Sequence, residues 1–156
     1  MDQRTTSNVA TGLNHLVSVA QDGVNGLARA IDDAQDPQLK VRLSELRQNR
    51  EHMVQELKAM VTQLGGNSTQ SGTVAGAAHR AFMEVKEMVT GAGDQALIQD
   101  CTRGDKHAVS EFQDALNELG PNAPEAARFI VQTGLQRIQT ALQQYQQLAH
   151  SGAVAS

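Results

Sequence analysis

The sequence predicts an all-α fold, a four-helix bundle whose second and third helices run parallel, and three observations carry that reading. Apolar residues recur at three- and four-residue steps through four long segments, as they do on the buried face of a helix. The 156 residues include no Trp, one Tyr and three Phe. A core of Leu, Val, Ile, Met and Ala suits helix packing better than a β-sandwich, in which aromatic and β-branched residues dominate. Residues 65–93 are far too long for a tight turn: the polar run Gly65 to Gly72 leads into a helical phrase, Val74 to Thr90, and then Gly91-Ala92-Gly93. A crossover with its own helix is what a bundle needs when its second and third helices point the same way.

The first helix is predicted from about Ser7 to Ala34, with Leu13, Leu16, Val17, Ala20, Val24, Leu27, Ala28 and Ile31 on one face. Asp36-Pro37 opens the second, since Pro suits a first helical position and Asp36 can cap the free N–H groups beside it. Its seam reads Leu39, Leu43, Leu46, Arg50, Met53, Leu57, Met60 and Leu64, a four-three repeat broken only by Arg50, and Gly65-Gly66 ends it. Asp94 can cap the third helix, whose inward positions are Leu97, Cys101, Asp105 or Gly104, Ala108, Phe112, Ala115 and Leu119, and Gly120-Pro121 stops it. The fourth runs from near Pro124 to about His150 through Ala127, Val131, Leu135, Ile138, Leu142, Tyr145 and Leu148, with glutamines on its outer face. One domain therefore covers 7–150, with residues 1–6 expected to be disordered and 151–156 a flexible tail.

Composition excludes several functions. The net charge of −4 is spread over interspersed acids and bases, which gives no footprint for nucleic acid or an anionic membrane. No apolar run approaches the roughly 20 residues of a membrane span, the N-terminus is polar, and the single Cys101 cannot close an intramolecular disulfide. A soluble, cytoplasmic protein is expected; a homo-oligomer is compatible with this, and no protein partner can be named. Gly65, Gly66, Gly72 and Gly76 do not form a phosphate loop, because no Gly-Lys-Ser/Thr follows.

Several phrases, in order and spacing, resemble the bacterial DUF2383 family over about residues 9–149. They are Leu13-Asn14-His15-Leu16, Asp22-Gly23, Asp36-Pro37-Gln38-Leu39-Lys40, Glu56-Leu57 with Leu64-Gly65-Gly66, Ser71 through Arg80, and Cys101-Thr102-Arg103-Gly104-Asp105. The most specific is Ser71-Gly72-Thr73-Val74-Ala75-Gly76 followed by His79-Arg80. The resemblance implies a ferritin-like four-helix bundle with no established function and a loose association with stress. It also implies that a histidine often stands where this chain has Gln139.

Ferritin-like di-iron bundles hold metal with a carboxylate from each of two helices and a Glu-x-x-His pair from each of the others. Here Glu45 is followed three residues later by Gln48 and Glu51 by Val54, and the fourth helix offers Gln136 and Gln139. The complete ligand set is absent. Counting residues from the turns predicts which side chains share a level: Asp22 precedes Asp36 by as many residues as Arg50 follows it, and Asp105, His107, Gln136 and Gln139 fall at the same height. A buried polar layer of Asp22, Arg50, Asp105 and Gln139 is therefore expected. In the favoured reading the Arg50 guanidinium lies between Asp22 and Asp105, supplying the positive charge that a metal would bring; no cofactor is then expected. In the alternative, Asp22, Glu51 and Asp105 with His107 or Gln139 retain a site for iron or manganese, as an oxidase or a metal-binding protein would.

A third possibility is an interaction module that presents His79, Arg80, Phe82 and Met83 of the crossover helix, with Met88, to a partner. Cys101 reads as an inert core thiol, because Asp100 beside it would raise its pKa. The favoured function is a non-catalytic, structural bundle protein.

Overall fold

A computed structural model describes residues 3–67 and 93–150. The expected crossover helix, with His79, Arg80, Phe82 and Met83, and the tail 151–156 lie outside them. Four helices follow in order: α1 Gln3–Asp33, α2 Pro37–Gln63, α3 Asp94–Leu119 and α4 Glu125–His150, with no strand among the described residues. No helix among these residues is long and apolar enough to cross a membrane. α1 starts at Gln3, within the stretch expected to be disordered; no Gly or Pro interrupts residues 3–11, so nothing local ends the helix sooner.

The second helix begins and ends as its sequence predicts. Asp36 has extended backbone angles and its carboxylate accepts from the N–H of Gln38 at 2.9 Å, with Pro37 next to it. At the other end the N–H of Gly65 donates to the carbonyl of Thr62 and that of Gly66 to Val61, the paired bonds of a Schellman turn. Gly65 has φ 82°, a left-handed conformation open to glycine at little cost.

Helix α3 departs from its predicted cap. The residue before it, Gly93, has φ 129° and provides no side-chain bond. Asp94 instead reaches across to the turn between α1 and α2, where its two carboxylate oxygens accept from the N–H groups of Gln35 at 2.9 Å and Asp36 at 3.0 Å. A buried carboxylate can satisfy free N–H groups on another segment as well as on its own. This bond places the start of α3 beside the start of α2, so the two helices run parallel, and Gln95 reaches the Ala149 carbonyl at the far end of α4.

Around the bundle α1 packs on α2 and α3, while α4 packs on α3 and α2. The apolar interior falls into two clusters. One holds Leu13, Leu16, Val17, Val24, Met53, Leu57, Phe112, Val131 and Ile138; the other holds Leu27, Leu39, Leu43, Leu46, Ile98, Ala141 and Tyr145. On every helix the change from one cluster to the other comes at one height: between Val24 and Leu27, Met53 and Leu46, Ala108 and Ile98, Ile138 and Ala141. That height is the level of Arg50 and Asp105.

Candidate functional site

Arg50 and Asp105 meet where the two apolar clusters divide. Leu46 and Met53 lie one turn either side of Arg50 on α2 and are buried, so the same helical face carries Arg50 inward. The guanidinium donates from Nη1 to Oδ1 at 3.0 Å and from Nη2 to Oδ2 at 2.9 Å, with side-chain exposures of 4% and 7%. Such a two-bond fork uses both carboxylate oxygens and fixes the relative orientation of its partners. Burial by itself would lower the Arg50 pKa, but the Asp105 charge and the hydrogen bonds to it outweigh this and hold it above the ordinary value. The guanidinium keeps its charge.

Room for the guanidinium comes from α1. A Cβ on Gly23 would stand 2.4 Å from Nη1 of Arg50, so the cation lies against the helix backbone where a side chain is missing. Asp22, the expected second partner, is half-buried next to this glycine, while both hydrogen bonds of Arg50 go to Asp105.

Two further polar groups flank the pair. Tyr145 is buried and its hydroxyl lies near Asp105, with no partner at hydrogen-bond distance among the described residues. Burial first, and then the Asp105 charge, raise its pKa well above that of an ordinary tyrosine. Part-buried Cys101 is pushed up to about 12 by burial, Asp105 and Asp100, against the opposing effect of Arg50. A thiol in that state is a poor nucleophile, which agrees with an inert role.

The other predicted residues do not join the layer. Gln139 is at the expected height but exposed, because the inward position on that turn of α4 belongs to Ile138; one residue of helix turns a side chain by about 100°. Glu51 is exposed and pairs with Arg47 at 3.0 Å. His107 is exposed, with Nε2 3.6 Å from Glu111, whose other oxygen is 2.6 Å from His15 of α1. Thus the alternative ligands Asp22, Glu51, Asp105 and His107 are not brought to one point. Among the described residues, no group of three or more His, Cys, Asp or Glu side chains is placed to hold a metal ion. The donor set does not fit iron or manganese: both oxygens of the buried carboxylate are engaged, and the group they face is a cation.

Sequence reasoning missed Gly23 and Tyr145. The first could be found only by asking what lies opposite a buried arginine, where a residue without Cβ is the signal. Tyr145 reads as an ordinary apolar position of α4, and nothing in its spacing marks the proximity of its hydroxyl to Asp105.

Comparison with known proteins agrees with this architecture. A family model described as "Domain of unknown function (DUF2383)" matches residues 8–118, and no curated protein matches the chain. A DPS protein from Vibrio cholerae O1, described as a member of a broad superfamily of ferritin-like diiron-carboxylate proteins, is similar with a TM-score of 0.76 at 14% identity, over 94% of this chain and 91% of that one. A ferritin-like, diiron-carboxylate protein from Bacillus anthracis str. Ames gives 0.73 at 8% identity, over 96% and 100%. A two-domain protein from Anabaena variabilis ATCC 29413, with DJ-1/ThiJ/PfpI-like and ferritin-like domains, gives 0.72 at 12% identity; 94% of this chain is covered but only 37% of that protein. At these identities the likeness is one of fold.

Proposed function

The chain belongs to the DUF2383 family, and on that premise we propose that it is a non-catalytic, structural member of the ferritin-like class in which an internal ion pair stands where related bundles hold metal. The observation that carries this reading is the position of Arg50, the one buried cation among the described residues, at the junction of two apolar clusters contributed by all four helices. Metal centres in bundles of this class are built from inward side chains of facing helices at mid-height. Arg50 brings a fixed positive charge to that place, Asp105 neutralises it, and Gly23 supplies the space.

The ion pair specifies register more than it stabilises. Desolvating two charges offsets most of their attraction, whereas a helix shifted by one residue would leave a buried charge without its partner. The test is elemental analysis of the full chain purified without chelator. Iron and manganese well below one ion per chain support the proposal; stoichiometric amounts of either would replace it with a metal-binding or oxidase function.

A further inference from the structure

Of the four adjacent helix pairs that close the bundle, α2 and α4 make the least contact. A half-open groove of about 340 Å³ lies between them, within the range of volumes that hold small molecules. Leu46 and Met53 form apolar flanks on either side of Arg50, and Arg137, Gln136 and Gln144 of α4 stand opposite. Although the chain carries a net charge of −4, the residues lining the groove include two arginines, Arg50 and Arg137, and, among the described residues, neither Asp nor Glu.

Those groups retain donor capacity. A guanidinium has five N–H groups, of which Asp105 takes one from each Nη of Arg50; the remainder have no hydrogen-bond partner among the described residues. Among the described residues Arg137 is held only by Glu56, at 3.3 and 3.5 Å from its Nη1, distances long enough for the side chain to turn. The Gln136 and Gln144 amides can donate to an acceptor held between the helices.

We propose that this groove binds a small oxyanion with a short apolar body, a carboxylate or a phosphate monoester. Its head engages Arg137 and the outer N–H groups of Arg50, and its body lies on Leu46 and Met53. Planar guanidinium groups match the oxygens of either head group, and charge-assisted bonds of this type are roughly twice as strong as neutral ones.

The test is an NMR titration of the isotope-labelled full chain with butyrate and, separately, with inorganic phosphate, at matched ionic strength in chloride. Saturable shifts are expected at the Arg137 side-chain N–H and the Gln136 and Gln144 amides, with binding roughly tenfold or more weaker in Arg137→Gln. Saturation by butyrate alone assigns the carboxylate head, and saturation by phosphate alone assigns the phosphate; each supports the site. No saturable shift with either probe, or equal binding by wild-type protein and Arg137→Gln, overturns the proposal.

Discussion

Arg50 of α2 rests on the backbone of α1 at Gly23, so closely that a Cβ there would stand 2.4 Å from Nη1. Two helices are thereby keyed to each other by a missing side chain, and the key is locked from α3 by the bonds from Arg50 to Asp105. Gly23→Ala should therefore destabilise the fold by about 1–3 kcal/mol, since the guanidinium must move while still tied to Asp105. Gly12, on the same helix, has nothing within 4 Å of where a Cβ would be. Gly12→Ala should stabilise by up to about 1 kcal/mol through helix propensity alone. Urea denaturation of the two variants checks the contrast, and equal shifts would contradict it.

Removing the cation exposes the cost of burying its partner. Arg50→Ala leaves Asp105 buried without a counter-charge, a loss on the order of 3–5 kcal/mol. Arg47→Ala, at a position 44% exposed and paired with Glu51, should cost no more than about 0.5 kcal/mol because solvent screens the pair. Replacing both buried partners, Arg50→Met with Asp105→Leu, should recover most of the stability lost by Arg50→Ala. Denaturation midpoints for these three variants measure the effect, and a double variant no more stable than Arg50→Ala would show that the loss does not arise from the uncompensated charge.

Asp94 joins the start of α3 to the turn between α1 and α2 through two charge-assisted bonds to the backbone. Asp94→Ala should cost about 2–4 kcal/mol, leaving two N–H groups to find water. Amide exchange at Gln35 and Asp36 should accelerate in step. Unchanged exchange at those two amides would mean that the bonds do not form in solution.

Alkaline pH should weaken the fold. An ordinary thiol ionises near 9.0, whereas folded Cys101 holds its proton to about 12, so in that window the unfolded chain has released a proton that the folded chain retains. Stability from this group is complete below the window and declines as pH rises through it. Tyr145, also raised, acts in the same direction. Melting temperatures across the window should fall less steeply for Cys101→Ala than for wild-type protein, and identical slopes would contradict the assignment.

Much of the bundle is legible because the helix period places residues by arithmetic. The seam Leu39, Leu43, Leu46, Arg50, Met53, Leu57 and Met60 is buried as its spacing predicts, and Arg50 stands out there as the only charge. Counting from the turns brings Asp105 to the same level, because both helices rise about 1.5 Å per residue from one end of the bundle. Height is only half of a position, however. Gln139 lies at the predicted height and on the wrong face, since the rotational phase of α4 is set by Ile138, Ala141 and Tyr145 packing inward. Asp94 shows a different limit: a carboxylate at a helix start can serve its own backbone or another turn, and local sequence favours neither. Gly23 stands with Asp22 in a phrase that resembles the family, but its structural part depends on a contact across helices that no spacing within α1 can encode.

In the proposed function Arg50 occupies the level at which ferritin-like bundles coordinate metal, and calorimetric titration of the full chain with iron(II) under anaerobic conditions, and with manganese(II), tests that proposal most directly. With both Asp105 oxygens held by Arg50 and with Glu51 and His107 at the surface, neither ion should give a saturable heat, and neither should change the melting temperature. Tight, stoichiometric binding of either ion that is abolished by Asp105→Asn would place the metal where the ion pair is described, and would contradict the account.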